Sequence, residues 1–195
     1  MLAIPGAAGG KNATLQNKRA VRATNEVGVS IKGIYQGYAL QQVDDKGRVA
    51  IPSSLRATLI ARNPAGPDPK DSLYVVVGVH ESDHCLIGFD ITYGAQRFAD
   101  LEARARDHAG PDGAPNDVIL RGGMAVDTLA FDASGRFILP SWPRNRVKIG
   151  KYAFFYGLGN HFEIWDPAML MASPRATDMM KDMVVHFLGE RGEKL

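Results

Sequence analysis

The sequence predicts a mixed α+β fold, mainly β with helices, in which two halves of one chain complete a shared core. Three observations carry this: an internal repeat, short runs in which apolar residues alternate as on one face of a strand, and glycine and proline clusters between the runs. Val43-Asp44-Asp45-Lys46-Gly47-Arg48-Val49-Ala50-Ile51-Pro52 matches Phe131-Asp132-Ala133-Ser134-Gly135-Arg136-Phe137-Ile138-Leu139-Pro140, with Arg48 and Arg136 standing 88 residues apart. Leu73 to Gly78 then matches Lys151 to Gly157, and Cys85 to Asp90 matches His161 to Asp166, in the same order. Each copy is short for an independent core, which favours one core built by both.

Each copy reads as an extended segment, a turn at Asp-x-x-Gly, a second strand ended by proline, a short helix, two more strands and a closing helix. Asp44 and Asp132 can accept from the backbone two residues on and so start the turn. Gly47 and Gly135 supply the positive φ that a hairpin with a bulge needs. Val49 with Ile51, and Phe137 with Leu139, form the buried face of the second strand, and Pro52 and Pro140 end its pairing. Ser53 or Ser54 is the expected cap of a helix on which Leu55 and Leu59 share a face. In the second copy, Pro143 confines any helix start to its first turn.

Asn63-Pro64-Ala65-Gly66-Pro67-Asp68-Pro69 reads as extra loop in the first copy. Arg97 to Asp107 is the expected helix closing the first half, with Phe98, Leu101 and Ala105 on one side, and Ala109 to Pro115 is the strongest linker signal in the chain. Pro167 to Met171 and Thr177 to Leu188 read as helices separated by Ser173-Pro174. Met179, Met180, Met183, Val184 and Phe187 give the second an apolar face suited to core or subunit packing. The expected organisation is a flexible basic extension over 1–33, a first half over 34–108, a linker over 109–120, and a second half with a C-terminal helix over 121–195. For residues 1–30, disorder, a DNA-touching tail and an upstream start codon all fit.

Of the 195 residues, 45% are hydrophobic and 23% charged, which removes the compositional basis for collagen-like, coiled-coil or wholly disordered chains. No apolar run approaches the length of a membrane span, and Met1-Leu2-Ala3-Ile4-Pro5-Gly6 lacks the basic start and apolar stretch of a secretory signal. The single cysteine, Cys85, fits a reducing compartment. The expectation is a soluble intracellular protein with no membrane partner. The net charge of +2 is too small to demand an anionic partner, so any nucleic-acid surface has to be local.

The repeated Asp-x-x-Gly-Arg-apolar-x-apolar-Pro, with Gly157-Leu158-Gly159-Asn160-His161-Phe162-Glu163-Ile164-Trp165-Asp166 downstream, resembles MraZ, a bacterial family built from two domains of the SpoVT/AbrB type. The resemblance covers about residues 34–190. It implies a double-split, swapped-hairpin AbrB-like β-barrel formed by two pseudo-twofold-related halves of that type. It also implies a ring-shaped homo-oligomer of about eight or more subunits. The implied function is sequence-specific binding of double-stranded DNA by a transcriptional regulator, usually a repressor of its own promoter upstream of the division and cell-wall gene cluster. Carried over residue by residue, the family's DNA-binding turn reaches Asp44, Lys46, Gly47 and Arg48, then Asp132, Gly135 and Arg136. Ser134 departs from the family's frequent lysine, which weakens the case for the second turn.

The residues support a DNA role on their own terms. Arg48 and Arg136 each follow a turn glycine, so a planar five-donor fork sits on a rigid hairpin, within reach of a phosphate or of guanine O6 and N7. They can equally pair with Asp44 and Asp132, and both can hold if the aspartate aims the arginine. Lys46 adds charge in the first copy. Arg56 and Arg144, also 88 residues apart, are further phosphate-contact candidates, or simply part of a solvated helix face. A monomer with so few contacts binds weakly at physiological salt, and a ring meeting repeated DNA boxes about one helical turn apart overcomes this by avidity.

An enzyme would have to use His80, Glu81, Asp83, His84 and Cys85. That run lies in an expected hairpin loop, where helical ligand spacing loses its meaning. No catalytic residue, metal site or organic cofactor is implied. His161 reads as a half-buried hairpin residue, and Asn12-Ala13-Thr14 as a chance match to a glycosylation pattern. The alternative function is a protein-interaction scaffold of the AbrB/antitoxin type without DNA readout of its own. On the preferred reading the protein is cytoplasmic and nucleoid-associated.

Overall fold

The computed structural model describes residues 33–63 and 73–195. Most of the expected N-terminal extension and most of the Asn63–Pro69 loop lie outside the described residues. In chain order the elements are β1 (Tyr38–Gln42), β2 (Arg48–Ala50), α1 (Ser53–Arg62), β3 (Leu73–Val79), β4 (Cys85–Phe89) and α2 (Ile91–Asp107). Then come α3 (Asp117–Gly123), β5 (Val126–Phe131), β6 (Arg136–Ile138), α4 (Ser141–Arg146), β7 (Tyr152–Gly157), β8 (Phe162–Trp165), α5 (Pro167–Ala172) and α6 (Asp178–Glu190).

The halves exchange strands. Six strands form an antiparallel sheet in the order β1-β7-β8-β4-β3-β5, and β2 pairs with β6 in a separate two-stranded ribbon. Strand β1 of the first half lies against β7 of the second, with Leu40 opposite Phe154. Strand β5 of the second lies against β3 of the first, with Val75 opposite Leu129. The matched strands β4 and β8 meet at the centre, Leu86 opposite Ile164. Read from either edge the order is the same with the halves interchanged.

Alternation along these strands loads both faces of the sheet. Val75, Val77, Leu86, Phe155, Phe162 and Ile164 face one core, closed by Val49 and Phe137 of the ribbon and by Leu55 and Leu59 of α1. Because both halves supply this core, neither can bury it alone. Leu40, Cys85, Phe154 and Trp165 belong to a second core, covered by Leu170 of α5 and by Met180, Val184 and Leu188 of α6. The methionine face of α6 is thus intramolecular core in part, while Met179 stands 62% exposed.

Several local expectations change. Among the described residues helices hold more positions than strands, so the fold is α+β without the expected β majority, chiefly because α2 and α6 run 17 and 13 residues. The hydrogen-bonded strands make an open sheet and a ribbon among the described residues, not a closed barrel. Pro52 takes the N-cap position of α1 and no side chain caps it, so neither Ser53 nor Ser54 has the expected role. Helix α2 starts at Ile91, earlier than expected, because Asp90 caps it by accepting from Tyr93 N at 2.8 Å. Phe98, although helical spacing sets it beside Leu101 and Ala105, lies 43% exposed while those two are buried. Helix α3, capped by Asn116, begins inside the stretch expected as linker over 109–120; its seven residues are too few for a helical period to show and end on Gly122-Gly123.

One buried polar cluster ties the first half together. Asp90, fully buried, accepts from Tyr35 Oη at 2.9 Å and from Arg62 Nη1 at 3.2 Å. Asp166, its match in the repeat, caps α5 in the same way through Ala168 N and Met169 N.

Candidate nucleic-acid interface

The two repeated turns have the same construction. Asp44 Oδ1 accepts from the backbone of Lys46 at 2.9 Å and of Arg48 at 2.8 Å. Asp132 Oδ1 accepts from Ser134 and Arg136, both at 2.9 Å. The carbonyls of Asp44 and Asp132 close the turns on Gly47 N at 2.9 Å and Gly135 N at 2.7 Å. Gly47 and Gly135 have φ of 79° and 80°, the left-handed conformation expected of the turn glycine. The donated backbone hydrogen bonds, that from Arg48 first, hold the Asp44 carboxyl below the usual carboxylate range. Asp132 is held down in the same way by Arg136.

Each aspartate also takes its arginine by the side chain. Arg48 Nε lies 2.5 Å from Asp44 Oδ2, and Arg136 Nε 2.9 Å from Asp132 Oδ2. The pairing reading of the motif is therefore realised, but it engages Nε alone. The terminal guanidinium nitrogens have no other partner among the described residues, and the side chains stay 55% and 64% exposed. The aspartate fixes the direction of the fork without consuming it.

Pairing of β2 with β6 brings the two forks together. Arg48 stands opposite Ile138 and Ala50 opposite Arg136, with Val49 and Phe137 paired between them. Val49 and Phe137 point into the core, so Arg48, Ala50, Arg136 and Ile138 share the outer face. With the ends of β1 and β5 this face borders an open groove of about 700 Å³, lined among others by Gln42 and Ala130. Lys46 is exposed at the tip of the first turn. Ile138, 58% exposed between the two arginines, escaped the sequence reading. The Arg-x-Ile alternation of β6 was the signal that could have found it.

Arg56 and Arg144 lie elsewhere. Both are half-buried and both lie against the turn of the opposite half. A Cβ built on Gly47 would sit 2.9 Å from Arg144 Nη1, and one built on Gly135 would sit 2.7 Å from Arg56 Cδ. Arg144 Nε further donates to the carbonyl of Ile149 at 3.1 Å.

The run from His80 to Cys85 forms the β3–β4 hairpin connection. His80 Nδ1 accepts from the backbone of Ser82 and Asp83, and Glu81 is held by Arg97 and Arg104. Cys85 is buried in the second core, and that burial pushes its thiol far up, away from the reactive thiolate. His161 is half-buried and stacks on Tyr93; burial pulls its ring toward the neutral form. Among the described residues no group of three His, Cys, Asp or Glu is placed to hold a metal ion, and no helix is long and apolar enough to cross a membrane.

Comparison with known proteins agrees with the repeated turn. A family model described as "MraZ protein, putative antitoxin-like" matches residues 124–169. The chain is 31% identical to the transcriptional regulator MraZ of a Ruegeria species over 68% of its own length and 77% of the relative. It is 31% identical to that of Saccharophagus degradans over 72% and 87%, and 32% identical to that of Rhodospirillum rubrum over 70% and 84%. Such identity, extending over more than three quarters of each relative, means that the chain belongs to the MraZ family.

Proposed function

We propose that the chain is a sequence-specific DNA-binding transcriptional regulator whose β2–β6 ribbon enters the major groove. The observation that carries this reading is the convergence of Arg48 and Arg136 on one exposed ribbon face, each aimed by its own aspartate. A two-stranded ribbon fits the major groove, and an aimed guanidinium can take O6 and N7 of guanine together, worth about 1–3 kcal/mol of discrimination. Ile138 between them offers an apolar contact to a thymine methyl. Lys46 serves the phosphate backbone on the first side, and Ser134 leaves the second side weaker.

The wider assembly is proposed from the family resemblance. The ribbon packs on the open sheet across one core, and the two together are read as the family's swapped-hairpin, double-split AbrB-like barrel, whose hydrogen-bonded ladders stay unjoined, built of two SpoVT/AbrB-type halves over 34–108 and 121–195, joined by 109–120 and preceded by the basic extension 1–33. Subunits close into a ring of about eight or more and meet short DNA boxes spaced about one helical turn apart, which supplies by avidity what one ribbon lacks. The regulator acts as a repressor at its own promoter, upstream of the division and cell-wall gene cluster, and is nucleoid-associated.

Fluorescence anisotropy with a labelled duplex from immediately upstream of the chain's own gene, against a scrambled duplex, tests the reading. Preference for its own duplex, with affinity falling steeply with salt, is the expected result. Light scattering tests the ring, which a stable 21.1 kDa monomer would exclude. The antitoxin-like description of the matching family model favours one second reading, a protein-binding scaffold without DNA readout. Equal, weak affinity for both duplexes would move that reading to first place.

A further inference from the structure

Arg56 and Arg144 occupy one position of the repeat, four residues past Pro52 and Pro140. Their backbone N–H groups donate to those proline carbonyls at 2.9 and 3.1 Å, so both leave the first turn of their helices alike. Both side chains reach across to the other half. Arg144, in the second half, ends beneath Gly47 of the first turn; Arg56, in the first half, runs beneath Gly135 of the second. The backbone makes the same exchange: Leu139 N donates to Gly47 O and Ile51 N donates to Gly135 O, each at 2.9 Å. Each turn therefore rests on a seat made by the opposite half, a strand exit on one side and an arginine below.

We propose that Arg56 and Arg144 are positioning residues acting across the halves, Arg144 setting the Asp44–Arg48 turn and Arg56 setting the Asp132–Arg136 turn. The inference rests on the DNA reading above for its consequence, since the turn that carries each reading arginine and its aiming aspartate is then held in place by the opposite half. Two features favour a brace over a phosphate contact. Arg144 commits Nε to the Ile149 carbonyl, and both side chains are half-buried, each passing within 3 Å of where a Cβ on the opposite turn glycine would sit. Glycine at the turn thus serves two needs, a positive φ and space for the opposing arginine. Coupling of this kind makes the two halves of the ribbon one mechanical unit.

Amide hydrogen exchange on the full DNA-free chain, by NMR, reads the seat directly. Arg144→Ala is expected to speed exchange at Gly47 and Arg48 about tenfold while leaving Gly135 and Arg136 unchanged, and Arg56→Ala to do the reverse. Should an alanine variant fold poorly, Arg144→Gln keeps a donor for the Ile149 carbonyl while withdrawing the tip from Gly47, and the same pattern is expected. In anisotropy, Arg144→Ala should weaken binding with an unchanged salt slope, and be non-additive with Arg48→Ala but additive with Arg136→Ala. Exchange speeded equally at both turns, or only at the turn of the same half, would overturn the brace. So would unchanged exchange with a salt slope shallower by about 0.9 per substitution, the mark of a phosphate contact. The crossed exchange pattern in a chain that ignores its own upstream duplex supports the brace and removes the DNA reading instead.

Discussion

The backbone N–H of Leu139 donates to the carbonyl of Gly47 over 2.9 Å, so the turn of one half is closed by a strand of the other. Gly47 itself is left-handed, as is Gly135 in the matching turn. An L-residue there takes on left-handed strain of about 1–2 kcal/mol. Gly47→Ala and Gly135→Ala are each expected to lower stability by that amount in urea unfolding. Variants as stable as the parent would show that the turns tolerate another geometry.

The turn carboxylates set a pH window. Asp44 and Asp132 are both held below their ordinary range by backbone donors, so the native state binds fewer protons than the unfolded chain through that range. Their contribution is fully present above about pH 4 and is lost as pH falls through the depressed native values. In thermal melts, the parent should lose its advantage over the Asp44→Asn, Asp132→Asn double variant as pH drops below about 4. A difference that does not vary with pH would contradict this origin.

Asp90 is fully buried between Tyr35 and Arg62. Removing it leaves a buried hydroxyl without its acceptor and a guanidinium without its counter-charge. Asp90→Ala is expected to cost about 3 kcal/mol, the low end for such a loss because Arg62 reaches solvent. Tyr35→Phe should cost about 1 kcal/mol. Equal effects from the two would mean that the Arg62 pair contributes nothing beyond the Tyr35 hydrogen bond.

Much of this was legible before any coordinates, and the reasons differ by element. The turns were legible because Asp, Gly and Arg each have one strong local role, and two copies in register confirm each other. Strands β3, β4, β7 and β8 were legible from apolar runs that recur in order. What failed was non-local. Apart from the family resemblance, nothing in the run from Tyr38 to Pro52 says that β1 pairs with β7 in place of a strand of its own half, or that Val49 lies opposite Phe137. Arg56 and Arg144 read in sequence as phosphate contacts or as a solvated helix face, and nothing local shows that the opposite turn is set above them. Ser53 and Ser54 carry a capping signal that Pro52 overrides by occupying the cap position itself.

Ile138 separates shape from charge on the ribbon. Being 58% exposed, it contributes little to folding, and its apolar tip can act only when a partner covers it. Ile138→Ala is expected to cost about 1 kcal/mol in binding the preferred duplex, with the salt slope unchanged, because no phosphate contact is lost. An unaltered preference between the two duplexes would place Ile138 outside the contact.

The central claim is that the paired turns present two aimed arginines to DNA. The most direct test is the anisotropy salt series with the upstream and scrambled duplexes, run on the parent, Arg48→Ala, Arg136→Ala and the double variant. The double variant should stay folded, because both side chains are exposed, and should lose its preference for its own duplex along with part of its salt dependence. A folded double variant that keeps both the preference and the slope of the parent would contradict the account.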